Sequence, residues 1–262
     1  MPQIDVPLVR GKFGETSRPD FWWVQPLAVF LGFSAFIVYS TWAAFQGNFY
    51  RFGPYISPMY SPELFGDPNT AWFGGKPSWF PGFLPFSAAF FILWAPGGFR
   101  FTCYYYRGAY YKAFWQDPTN CAVGEPRKSY RGEKKFPLIF QNIHRYFLYV
   151  AIIFIVILAK DAYDGFFAWP DGFHIGVGSI VLLINVCLLA SYTFGCHSFR
   201  HLVGGIKDVL SKSPVRRKAY DCVSCLNERH MRFAWFSLFW VGFTDVYVRL
   251  CAMGIWTDWR PF

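Results

Sequence analysis

The sequence predicts an all-α integral membrane protein: a bundle of about five transmembrane helices with its N-terminus in the cytoplasm. Three observations carry this: an apolar composition, five long apolar runs, and a one-sided placement of Lys and Arg. The 262 residues are 54% hydrophobic and 23% aromatic, and only 16% charged. A soluble domain carries about 25% charged residues. A soluble core could not hide 32 Phe, 16 Tyr and 12 Trp without a larger polar shell, so lipid is the expected solvent. The net charge of +9 would suggest nucleic acid in a soluble chain. Here the basic residues lie in loops between apolar runs, where they set orientation, and no nucleic-acid partner is expected.

Each run can be justified in turn. A hydrocarbon core of about 30 Å needs roughly 20 helical residues. The runs at 21–45 and 173–199 are long enough and hold no charge. The run at 83–115 is apolar to Phe99 and more polar beyond it. The remaining two are 137–159 and 231–248. Barrel strands would be near ten residues with alternating polarity, and no such alternation occurs.

Arg10, Lys12 and Arg18 precede the first span. Arg100, Arg107, Lys112, Arg127, Lys128, Arg131, Lys134 and Lys135 fall between spans two and three. Arg200 through Arg232 supplies a second basic segment between spans four and five. The opposite loops hold only Arg51, Lys76, Lys160, Arg249 and Arg260. Lys and Arg favour the cytoplasmic side, so the C-terminus is expected outside. The first twenty residues are polar and lack an apolar signal region, so the first span should act as its own insertion signal. The outer loop at 46–82, rich in Pro, Gly, Tyr and Trp, reads as an interfacial cap without obvious chemistry. With no internal repeat, residues 1–262 form one membrane domain, multi-pass in the cell's inner (plasma) membrane.

On this topology Cys103, Cys121, Cys196, Cys222 and Cys225 gather at the cytoplasmic end, with His144, His197, His201 and His230. The cytoplasm is reducing, which favours thiolate–metal bonds over disulfides. Cys222-Val-Ser-Cys225 has metal-ligand spacing within a basic loop; its bland reading is a pair of free thiols. His197 and His201 are four apart and share a helix face; otherwise they are polar residues at a helix end. His144, near the start of span three, could be a haem ligand, a quinone partner, a proton carrier or a snorkelling interface residue. The run from Arg100 to Lys112 would wall a quinone head, or serve only as an aromatic belt. Asp245 lies in the outer half of span five, either in a proton route or paired with a neighbour. His174 is an interfacial residue, and Cys187 and Cys251 are packing residues.

Six stretches resemble the membrane-anchor subunit of actinobacterial-type succinate dehydrogenases (succinate:quinone oxidoreductases). They are Tyr39–Phe45, Thr102–Phe114, Cys121–Lys128, Gln141–Tyr146, Cys196–His201 and Tyr220–Cys225. The resemblance implies a respiratory-chain and tricarboxylic-acid-cycle complex with a flavoprotein subunit and an iron–sulfur subunit on the cytoplasmic face. Electrons from succinate would reach a quinone, menaquinone or ubiquinone, held by this chain in the lipid bilayer. The chain itself would not oxidise succinate and carries no catalytic residue for it.

The resemblance also implies a Rieske-like [2Fe–2S] cluster, which needs two Cys on one iron and two His on the other. Cys222, Cys225, His197 and His201 are the expected ligands, with Cys196, Cys121, His230 and His144 in reserve. The two Cys/His boxes of soluble Rieske domains are absent from the sequence. The expected quinone wall is Tyr106, Arg107, Tyr110 and His144. Haem b, held by His144 with His197 or His201, is the alternative cofactor, in a cytochrome anchor of a related oxidoreductase. A non-redox transporter and a structural zinc anchor are the rivals from other classes.

Overall fold

The computed structural model describes residues 12–116, 119–127, 135–136, 138–205 and 207–260. Arg10, Lys128, Arg131, Lys134 and Pro137, used above for orientation and for a span boundary, lie outside the described residues.

The first helix, α1 (Val24–Gln46), has 23 residues and no charge. At 1.5 Å per residue it is about 34 Å long, enough to cross a bilayer core. It stops at Gly47, whose φ of 63° is left-handed. A Cβ there would meet the Phe86 carbonyl oxygen at 2.8 Å, so only glycine suits the position.

The expected second span is not one helix. A 3-10 turn (Ala88–Phe91) leads into α2 (Trp94–Thr102). Cys103 then adopts an extended backbone, and the chain continues as α3 (Tyr104–Tyr110) and a π turn (Tyr111–Trp115). Pro96 is tolerated near the start of α2, where backbone N–H groups lack helical partners anyway. Gly98 admits the Phe147 ring, which a Cβ would meet at 2.2 Å.

The third span begins as a 3-10 turn (Leu138–Ile143), becomes α4 (His144–Phe167), and so runs past the expected end at 159. The fourth, α5 (Val177–Phe194), is shorter than expected. An extended Cys196 separates it from α6 (His197–Gly204). The basic segment that read as a loop contains α7 (Pro214–Glu228), with proline in its first turn. The last helix is α8 (His230–Ala252).

Among the described residues, three helices are long and apolar enough to cross a membrane: Val24–Gln46, Ile139–Phe167 and Val177–Phe194. The 23-residue α8 matches α1 in length but carries Arg232, Asp245 and Arg249.

Helix α5 packs between α4 and α8, with α2 on α4 and α1 on α8. One core cluster joins Phe99, Cys103, Tyr106, Leu148, Tyr192 and Cys196 with Ala234 and Leu238. At the far end of the same helices, the loop between α1 and α2 is a plug rather than a surface cap alone. A two-residue hairpin, Arg51–Phe52 with Tyr55–Ile56, tucks Tyr55 between Ala162, Leu182 and Val248. Tyr60 donates to the Ala43 carbonyl at 2.6 Å, and Ser61 donates to Asp161. Trp72, Phe73 and Trp79 remain exposed, as interfacial aromatics would be.

The plug also meets Asp245. This carboxylate is fully buried; it accepts from Tyr39 at 2.6 Å and from Ser57, and pairs with Arg249 at 3.3 Å. Arg249 donates onward to the Asn48 carbonyl at 2.9 Å. The loop therefore carries polar chemistry that its composition hid.

Candidate functional site

Four buried side chains meet at the end of the bundle where α5 finishes and α8 starts. Each sits at the start of a helix. Cys103 and Cys196 precede α3 and α6 with extended backbones, ψ 133° and 143°. His144 and His230 are the first residues of α4 and α8. The breaks that spoil the apolar runs therefore turn both thiols inward.

Cys103 Sγ lies 3.4 Å from His230 Nε2, and Cys196 Sγ lies 2.9 Å from His144 Nε2. The His144 Nδ1 atom is 2.8 Å from Thr102 Oγ1, which donates to the Gly98 carbonyl at 2.7 Å. With that hydroxyl proton committed, His144 carries its own proton on Nδ1 and presents the Nε2 lone pair to Cys196. Phe99 stacks on His144 with centroids 4.7 Å apart, and Tyr192 stacks on His230 at 4.9 Å. These rings fix both imidazole planes.

Arg100 borders the group. It donates to Tyr106 Oη at 2.6 Å and Ser237 Oγ at 2.9 Å, and covers the Tyr192 ring at 4.7 Å. Its sequence position suggested an orienting loop charge. Its actual place is inside α2, facing α8. No local sequence signal marks this place, because the extended Cys103 separates Arg100 on α2 from Arg107 on α3.

All four Cys and His side chains open on a cavity of about 940 Å³. Its other walls include Gln25 of α1, Tyr104, Tyr105 and Lys112 from the α3 region, and Gln141. That volume lies at the upper end of the range for small-molecule pockets. Of the residues expected to hold a quinone, His144 lines the cavity. Tyr106 is buried behind it and donates to the Ala234 carbonyl. Arg107 donates to Gln141 Oε1 at 2.7 Å, and Tyr110 stacks on Phe101 at 5.3 Å.

The expected ligand set is not brought together. Cys222 and Cys225 are exposed on α7, a helix rather than a loop turn, and Cys225 Sγ accepts from Arg229 at 3.0 Å. His197 and His201 face each other at 3.1 Å on α6. Cys121 is exposed, in a segment whose carbonyl accepts from Arg18 at 2.9 Å. Among the described residues, no three Cys, His, Asp or Glu side chains surround one metal-ion position. Of the reserve candidates, Cys196 meets His144, and His230 meets Cys103, which sequence reasoning left out; both pairs line the one cavity. The signal of Cys103 was weak: one cysteine inside an apolar aromatic run, with no ligand spacing around it.

Comparison with known proteins decides the family. The description "Actinobacterial succinate dehydrogenase subunit SdhC" matches residues 24–254. The chain belongs to this family. A chain of the Mycobacterium smegmatis Sdh1 complex in the apo form is 44% identical, with a TM-score of 0.87 and 97% of each chain covered. Among curated proteins, none matches. The family is a membrane subunit of succinate dehydrogenase, in keeping with the three apolar helices. Membership points to a quinone as the small-molecule partner.

Proposed function

We propose that this chain anchors the soluble subunits of a succinate dehydrogenase and passes their electrons to a quinone in the cavity. The observation that carries the reading is the buried quartet Cys103, Cys196, His144 and His230 opening onto that cavity. A flavoprotein subunit and an iron–sulfur subunit are the expected partners. Lys112 in the cavity wall and the basic residues of α6 and α7, among them Arg200, Arg217 and Lys218, favour a cytoplasmic position for this end. On that basis the N-terminus is cytoplasmic, and the chain crosses about five times, with the broken α2–α3 segment and α8 joining the three apolar helices.

The quartet has the donor composition of a Rieske-like [2Fe–2S] centre, two thiolates and two imidazoles. Cys103 and Cys196 would hold one iron and His144 and His230 the other, replacing the set on α6 and α7. When bound, such a centre supplies one-electron transfer. The chain's own residues do the rest. Phe99 and Tyr192 hold the imidazole planes, and Thr102 fixes the His144 tautomer. The quinone head takes the cavity, where Gln141, oriented by Arg107, offers its amide N–H groups to a carbonyl oxygen. Tyr104 and Tyr105 supply flat walls. His144 is thereby a ligand rather than a quinone donor.

The test is composition and spectrum of the purified complex. The iron–sulfur reading expects more iron and acid-labile sulfide than the soluble subunits hold, with the excess absent in Cys103→Ser. Quinone reductase activity should fall about 100-fold in that variant, while dye-linked succinate oxidation persists. A Soret band with no excess sulfide would instead select haem b, and zinc alone would select the structural anchor.

A further inference from the structure

We propose that His197 and His201 form a reversible binding site for one zinc-class divalent ion at the mouth of the cavity. The two residues lie four apart on α6 and share a face. Their Nε2 atoms are 3.1 Å apart, with the rings edge to face at 79°. Two imidazole nitrogens on a tetrahedral zinc, each about 2.0–2.1 Å from the metal, are separated by roughly 3.3 Å. The pair needs to open only slightly to admit the ion. Without it, one ring N–H points at the other ring's lone pair. With it, the ion replaces the shared proton and satisfies both nitrogens.

Both side chains are exposed, so an ion has a route in and water can complete its shell. No third Cys, His, Asp or Glu joins the pair among the described residues, so the site is open, unlike a four-ligand structural zinc.

The position gives the site a consequence. His197 lines the cavity, and His201 is one turn further along α6, outside the lining. An ion held between them sits at the rim and narrows the mouth. This blocking half rests on the quinone reading above; the binding half does not.

Equilibrium dialysis of the purified complex against zinc chloride tests the binding half separately. Wild-type complex should hold one more zinc than His201→Gln, whose affinity at this site should drop about 10–100-fold. Cys222→Ser/Cys225→Ser should keep the ion. The same zinc should slow quinone reduction but not dye-linked succinate oxidation, and His201→Gln should need correspondingly more zinc for the same inhibition. Equal zinc in wild type and His201→Gln overturns the site, and loss in the cysteine variant transfers it to α7. A bound ion that leaves quinone reduction unchanged overturns its place at the mouth.

Discussion

Asp245 and Arg249 show what one residue can do inside the bundle. Both are buried on α8, and Arg249 also covers the Trp42 ring at 5.3 Å. A buried pair adds little over a well-packed apolar pair, yet removing one partner strands the other charge. Asp245→Ala should therefore cost about 3–5 kcal/mol. Adding Arg249→Met should recover part of the loss, because the stranded charge is gone. Thermal unfolding of the detergent-solubilised complex measures both, and an Asp245→Ala melt equal to wild type would refute the pairing argument. From the sequence, Asp245 read equally as a proton carrier or an ion-pair partner. Arg249, four residues on and so on the same helix face, was the local cue to an ion pair, whereas the partners Ser57 and Tyr39 lie far away in the chain.

At the level of elements, Asp258 ties the C-terminal segment to the start of α5. Its carboxylate accepts from the Gly178 N–H at 2.9 Å, Tyr247 at 2.6 Å, Tyr55 at 3.0 Å and Arg260 at 3.0 Å. It thus caps a helix whose own first residues offer no acidic side chain. Burial pushes the carboxyl up, but Tyr247, the Gly178 N–H, Arg260 and Tyr55 outweigh it and hold it below the ordinary carboxylate value. A depressed folded-state value means the stabilisation is present at neutral pH and lost as pH falls through that value. The melting temperature of wild type should therefore drop more steeply below about pH 4 than that of Asp258→Asn. Parallel curves would show that the carboxylate contributes nothing.

The elements also show how far the sequence could be read. The apolar runs of α1, α4 and α5 were legible because uncharged length is a direct mark of lipid contact. The break at Cys103 was not, because an extended residue between two helical turns leaves hydropathy unchanged. The same limit hid the quartet. Cys222-Val-Ser-Cys225 is conspicuous by spacing, whereas the residues that meet are single donors on four separate helix starts. The plug was hidden for a related reason: Tyr55, Ser57 and Tyr60 find their partners only in the folded bundle.

For the molecule as a whole, orientation and crossing number are the quantities to measure. Reporter fusions after residues 82, 170 and 256 should report from outside the membrane, and fusions after 127 and 212 from the cytoplasm. A cytoplasmic report after 256 would remove α8 as a crossing and with it the five-span arrangement. The side of the basic α6–α7 region rests on the fusion after 212 instead: an outside report there would remove it as the proposed docking side for the soluble subunits.

The four donors come from positions 103, 144, 196 and 230. The ribosome must therefore release nearly the whole polypeptide before the fourth one exists. Under the proposed iron–sulfur reading this sets an order: the centre can be loaded only after insertion has brought all four helix starts together. A nascent chain stalled before α8 would already reside in the bilayer with three donors and no fourth, a membrane-bound intermediate exposed to quality-control proteases.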